Sequence, residues 1–474
     1  MTHLSTSILT PFPAEKLARA DALLEEELAR SDIKWVVLDD DPTGVQTVHD
    51  VSVYTDWTEE SIRAGFEEKE RLFYLLTNSR AMTEAETIRA HREIAERVAR
   101  VSRETGKPYL FLSRSDSTLR GHYPLETEIL REEMAKTGRM ADGEILCPFF
   151  PEGGRYTIGN VHYVRQRNEL VPAAETEFAR DATFGYTKSS LPEYIAEKTG
   201  GRYPADAVTC ISLESLRGMD LERIETQLMA VSGFGKVCVN AMDYGDLKVF
   251  AIALYRAMAQ GKVFLFRTAA ALVRVLGGVT EKPLLTREEM ICRETKMGGV
   301  IVVGSHTQKT TAQLNALLTL EGVVPVAFDS DKVLEGDDAL QAEVDRCVAE
   351  EEKILRSGRT AVCYTRRSLL TREGDTKESA LQRSVRISDG VQSLVGKLKA
   401  TPAFVIAKRG ITSSDVGTKA LKVRRARVMG QICPGVPVWQ TGAESRFPLT
   451  PYVIFPGNTG DENSLRIAAS ILMG

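Results

Sequence analysis

WVVLDDDPTG, residues 35–44, decides how this chain is read. A short apolar run enters three consecutive aspartates and then a Pro-Thr-Gly turn. Adjacent carboxylates repel one another and resist dehydration, so three of them at the end of an apolar strand need a purpose. A solvated strand end, a metal site and a catalytic base all fit the stretch taken alone.

Working outward, KWVVLDD (34–40), RLFYLLT (71–77), PYLFLSR (108–114) and GEILCPF (143–149) are spaced as strands. Between the second and third, TEAETIRAHREIAERVARVSRETG (83–106) has helical spacing, with Ile88, Ile94, Ala95, Val98 and Val101 on one face. Gly106 is placed to cap its end, and Pro108 follows. Alternating strands and helices predict α/β layering on a mostly parallel sheet. Polar residues cluster where each strand ends: DDDPTG, TNSR, SRSDSTLRG and CPFFPEGGR. Ligands gather at that edge of open α/β sheets.

A second set of runs begins after EKPLLTREEMICRETKMGG (281–299), a mixed-charge stretch that suits a boundary. GGVIVVGSHTQKTTAQLNALL reads as strand, turn and helix, and KRGITSSDV and FPGNTGDEN repeat that layout. The expectation is two α/β domains, 1–290 and 297–474. No Walker motif, G-x-x-x-x-G-K-[ST], occurs, but backbone N–H groups at a helix start bind phosphate without one, and Ser305, Thr307 and Thr310 add hydroxyls. Three such turns in one domain favour a nucleotide cradle.

Composition sets limits. With 474 residues, 43% hydrophobic and 27% charged, the chain has the profile of an ordinary globular protein of two or three domains. A net charge of −4 gives no reason to expect nucleic acid or an anionic membrane as partner. KVRRAR (422–427) is basic, yet its apolar alternation suits a strand with one solvated face. The opening residues lack the pattern of a secretory signal and no run of 18 apolar residues occurs, so a cytoplasmic protein is expected. Seven cysteines without C-x-x-C read as buried apolar residues, and six histidines without H-E-x-x-H exclude a zincin motif.

The loops of the first half carry the chemistry. In SRSDSTLRGHYPLE (113–126), Arg114, Asp116, Ser117, Thr118 and Arg120 mix forked cations, a carboxylate and hydroxyls. Such a set suits a small polyhydroxylated anion, and a helix-capping loop is the plainer alternative. PFFPEGGRYTIGNVHYV (148–164) reads as turn-rich and adds Glu152, Arg155 and His162, the last read as a structural histidine.

In order, DD-x-TG, a Thr-x-Ser-Arg turn, D-S-T-L-R-G and the proline-rich loop through Arg155 resemble the N-terminal half of the four-carbon acid sugar kinase family. The turns G-S-x-T, G-x-T-S and G-N-x-G resemble its nucleotide-binding half, so the resemblance spans about 36–465. It implies a kinase of two dissimilar α/β domains with its active site in the cleft between them. The substrate would be a tetronate or 3-oxo-tetronate, phosphorylated on its terminal hydroxyl with ATP and Mg2+. By resemblance, the catalytic aspartates are Asp40 and Asp41, and Arg80, Arg114, Asp116, Arg120 and Arg155 bind substrate; Asp39 matches no family acid. The nucleotide falls to Ser305, to Gly410, Ile411, Thr412 and Ser413, and to Gly457, Asn458, Thr459 and Gly460. The sequence departs from the family at Arg409, where a paired glycine is usual, and at Phe455-Pro456, where Lys-Ser is common. The partners implied are the sugar acid and ATP, with homo-oligomerisation left open. A protein that binds the acid without turning over ATP is the alternative.

Overall fold

The structure, a computed structural model, describes residues 2–367, 370, 375–457 and 459–474. The chain divides into two compact units, one made of Met1–Gly44 and Asp56–Glu281, the other of Val45–Thr55 and Lys282–Gly474.

Seven strands of the first unit pair in the order Thr209–Ile211, Gly235–Val239, Gly143–Cys147, Phe264–Thr268, Tyr109–Arg114, Lys34–Asp39, Leu72–Leu76, every pair parallel. Lys34–Asp39, Leu72–Leu76 and Tyr109–Arg114 are buried at every position, the reason they read as unbroken apolar runs. The helix Glu84–Thr105 begins at a Thr83/Glu86 capping box and ends at Gly106, whose φ of 67° favours glycine. Its Ile94, Ala95, Val98 and Val101 are buried, while Ile88 is half-buried in the first turns.

The region read as turn-rich is instead a hairpin. Arg155–Ile158 and Val161–Gln166 pair antiparallel, joined by Gly159 and Asn160, both at positive φ as a two-residue hairpin requires. Glu169–Pro172 and Leu4–Ser5 complete a small four-stranded sheet.

In the second unit, Val405–Lys408, Val300–Val303, Thr360–Tyr364, Val323–Ala327 and Pro451–Phe455 are joined by parallel pairings. Val436–Thr441 and Arg425–Cys433 add antiparallel strands beyond Pro451–Phe455. The latter alternates exposed and buried residues over its first half, the one-sided strand expected of the basic run. Its outer edge pairs with Ser52–Tyr54, and Asp50 accepts from Arg427 Nη2 at 2.8 Å, which is why the segment 45–55 belongs to this unit. Among the described residues no helix is long and apolar enough to cross a membrane.

Candidate substrate and nucleotide sites

Parallel register brings the first-unit loops together. Asp39 and Arg114 are cross-strand partners at the carboxyl ends of neighbouring strands. Arg114 Nε donates to Asp39 Oδ1 at 2.7 Å and Nη2 reaches the same oxygen, while Nη2 also donates to the Asp41 carbonyl at 2.7 Å. Burial, against the pull of Arg114 and with repulsion from Asp40 and Asp41, pushes Asp39 up to about 7. Gly44 leaves room for this arginine, since a Cβ there would fall 1.8 Å from Arg114 Nη2.

Asp40 is the most heavily engaged acid. Arg80 grips it bidentately, Nη2 to Oδ1 at 2.7 Å and Nε to Oδ2 at 3.2 Å, and Ser115 Oγ donates to Oδ2 at 2.9 Å. Burial opposes its charge, but Arg80 and then Arg114 outweigh burial and hold Asp40 below the usual carboxylate range. Asp41 is freer. Thr43 donates twice to its Oδ1, at 2.8 Å from N and 2.6 Å from Oγ1, whereas among the described residues Oδ2 meets only Arg80 Nη1 at 3.4 Å. Its side chain is 18% exposed against 2% for Asp40.

Asp116 accepts from Arg120 Nε at 2.7 Å and from Thr118. Burial opposes its ionisation, but Arg120 and Arg80 keep Asp116 well below the usual range. Arg120 and Arg155 both lie over the Phe178 ring, 5.1 and 5.4 Å from its centroid. Arg155 differs from the other arginines of the cluster: among the described residues it has no ion pair, and its Nε is buried without a hydrogen-bond partner. Burial lowers its pKa, opposed chiefly by the charge of Asp116.

The 115–121 loop is pinned from below. His162 sits fully buried between Ser117 O, 2.7 Å from Nε2, and Thr157 Oγ1, 3.0 Å from Nδ1. Burial lowers it to about 4, so the neutral ring donates to the carbonyl and accepts from the threonine, a structural role. Tyr186 and Tyr194 donate to the carbonyls of Thr118 and Leu119 at 2.8 and 2.7 Å. Arg267 Nη2 donates to Arg120 O at 3.1 Å, and its Nη1 pairs with Glu126, which also accepts from Ser79 Oγ at 2.6 Å. Arg267 escaped the sequence reading, and Glu126 entered it only as a possible helix-start residue of the capping loop. The available signal was Arg267 next to the end of FLFRT, in register with Ser113, the residue before Arg114 in YLFLSR.

In the second unit, Thr307 caps the helix Gln308–Leu317, and Ser305 Oγ lies 3.4 Å from Thr307 Oγ1. Gly304 abuts the Gly410–Asp415 turn, because a Cβ on it would lie 2.6 Å from Thr412 Oγ1. A cavity of about 420 Å³ opens here, walled by Gly304, His306, Arg409, Ile411 and Thr412 and closed on another side by the helix Lys377–Gly396 through Val385, Ile387 and Val391. Ile411 and Thr412 thus face it. Ser305, Gly410, Ser413, Gly457, Thr459 and Gly460 do not line it. Ser413 instead donates through Oγ to Ala407 O at 2.9 Å. Lys408 Nζ donates to Pro456 O at 2.6 Å and Gly457 O at 3.3 Å, and Gln313 Nε2 to Thr459 O at 3.1 Å. Gly460 turns at φ 75°, and Asn458 lies outside the described residues. The helix Lys377–Gly396 carried no legible motif and was missed.

Among the described residues no three His, Cys, Asp or Glu converge as a metal site, so the side chains do not build a cage for Mg2+. That ion commonly keeps its waters and binds through one or two carboxylates and substrate phosphates.

Residues 35–276 match the model of a sugar-binding N-terminal domain, and residues 300–465 match that of a nucleotide-binding C-terminal domain. The class is therefore a sugar-binding α/β domain followed by a nucleotide-binding one. The chain belongs to the four-carbon acid sugar kinase family, whose architecture is this pair. A protein of Salmonella typhimurium LT2, provisionally called a tRNA synthase, shares the fold at 16% identity and a TM-score of 0.64, covering 92% of this chain and 98% of its own. A Haemophilus influenzae protein of the DUF1537 family does so at 18% identity and a TM-score of 0.60, covering 92% and 100%. No curated protein matches the chain.

Proposed function

We propose that the protein is an ATP-dependent kinase acting on the terminal hydroxyl of a four-carbon sugar acid, a tetronate or 3-oxo-tetronate. The observation that carries this reading is the imbalance within the arginine-aspartate cluster. Among the described residues Arg80, Arg114 and Arg120 are each matched to a carboxylate, while Arg155 has none and one oxygen of Asp41 is held by a single long contact. An acid with hydroxyl groups supplies what both lack: a carboxylate for Arg155 and a hydroxyl for Asp41.

Each residue takes a role from its surroundings. Asp41 accepts the hydroxyl proton, a contribution of about 10²–10⁴-fold in such steps. Asp40 orients Arg80, and Arg114 and Asp39 brace the turn beneath them. Asp116 and Arg120 hold substrate hydroxyls. In the second unit, Val385, Ile387, Val391 and Ile411 suit a nucleotide base, and the cations around them suit phosphate. Val385 and Ile411, 49% and 51% exposed, both line the cavity, and a base seated there would cover them. Phosphoryl transfer asks mainly for positioning and charge neutralisation, and Mg2+ enters as counter-ion of the nucleotide phosphates. A cytoplasmic location accords with such chemistry.

ATP consumption measured against a panel of tetronates tests the reading, with Asp41→Asn and Arg120→Ala alongside the wild type. Turnover unchanged in both variants would remove these residues from the mechanism. A wild type that binds the acid by calorimetry but ignores ATP would establish a sugar-acid-binding protein instead.

A further inference from the structure

Arg409 joins the strand Val405–Lys408 to the turn Gly410–Asp415 with φ 99° and ψ 145°, a region of backbone space used almost solely by glycine. The conformation is imposed from both sides: Arg409 N donates to Phe455 O at 2.9 Å, and Arg409 O accepts from Ser413 N at 2.8 Å. Glycine would meet the same demands without steric conflict. A large charged residue held there at a cost to stability calls for a function of its side chain.

That side chain lies exposed at the mouth of the nucleotide cavity. Three other cations line the same cavity, and each already has a carboxylate: Arg366 with Asp331, Arg383 with Asp375, Lys419 with Asp389 and Asp415. Among the described residues Arg409 has none. Burial, and then the charges of Arg409 and Arg367, depress the imidazole of His306, which lines the same cavity. Among the described residues, the cavity therefore has an apolar side and one cation in a strained backbone with no internal anion to meet it.

We propose that Arg409 binds the phosphate chain of the nucleotide, and that the strained backbone is kept because it directs the guanidinium there. The proposal rests on the cavity being the ATP site. Arg409 then sets how strongly the protein discriminates by phosphate number, since a guanidinium gains more from a triphosphate than from a monophosphate.

The test uses calorimetric titration of the full chain with ATP and AMP, combined with thermal unfolding. Arg409→Gly is expected to raise Tm, by releasing the strain, while weakening ATP binding roughly tenfold and AMP binding little. Arg409→Lys, which keeps charge and strain, is expected to retain most of the ATP affinity. ATP affinity unchanged in Arg409→Gly, or ATP and AMP weakened equally, overturns the proposal while leaving the nucleotide site in place. A wild type that binds neither nucleotide overturns both.

Discussion

Arg114 and Asp39 stand opposite each other in register on adjacent parallel strands, and the guanidinium bonds both the Asp39 carboxylate and the Asp41 backbone. This pair turns strand geometry into loop geometry: where the sheet ends, the aspartate turn is fastened.

Breaking the pair from one side should be costly, since both side chains are buried. Arg114→Met leaves Asp39 to neutralise by taking a proton and removes a donor from the Asp41 carbonyl, and a loss of about 1–3 kcal/mol in urea unfolding is expected. Gly44→Ala should also destabilise, because its methyl would occupy the arginine's place. A Gly44→Ala protein as stable as wild type would contradict the packing described.

Asp39 has a signature in pH. Its folded value of about 7 lies above the ordinary carboxylate value, so between the two the folded chain holds a proton the unfolded chain has released. This group's contribution to stability therefore falls as pH rises from about 4 to about 7 and is level above that. Asp39→Asn should flatten the slope when unfolding is measured at several pH values between about 5 and 8. Parallel curves for the two proteins would show that Asp39 titrates normally.

Asp40 and Asp41 should separate by experiment. Asp41→Asn is expected to lower kcat by about 10²–10⁴-fold with little change in Tm, as the general-base role requires. Asp40→Asn should lower Tm as well, because it loosens Arg80 from a buried site. Equal effects on both quantities in both variants would reject the division of roles.

Arg155→Ala should act on binding. A carboxylate lost from this guanidinium predicts a KM for the acid raised roughly tenfold or more, with kcat changed much less. A fall in kcat at constant KM would move Arg155 from recognition to transition-state stabilisation.

Lys408 is buried, and its ammonium ties the end of one strand to the carbonyls of Pro456 and Gly457. Lys408→Met orphans those acceptors, with an expected loss of about 1–3 kcal/mol. Nucleotide affinity should fall with it only if the 456–460 loop touches nucleotide, so titration with ATP separates anchoring from binding.

The strands were legible because a parallel sheet covered on both faces demands continuous apolar runs, and Lys34–Asp39, Leu72–Leu76 and Tyr109–Arg114 are such runs. Arg80, Arg114, Asp116 and Arg120 come together for a related reason: the residues at and just past the ends of those runs share one edge. What the sequence hides is pairing. Nothing in SRSD says that Arg114 is spent on Asp39, because that depends on the register between strands far apart in the chain. Nothing marks Glu126 as the partner of Arg267, 141 residues away. The hairpin at Arg155 went unread because a Gly-Asn turn between short alternating strands was hidden among other turn residues.

The excursion of residues 45–55 has a consequence for anyone dividing the gene. The polypeptide passes between its two units three times, at 44/45, 55/56 and 281/282. A single cut at the last junction separates Ser52–Tyr54, which stays with the N-terminal fragment, from its antiparallel partner Arg425–Cys433. The C-terminal fragment is left with the bare edge of Arg425–Cys433, an invitation to aggregate. Co-expression of the two fragments, or a graft of residues 45–55 onto the second, is the dissection this topology permits.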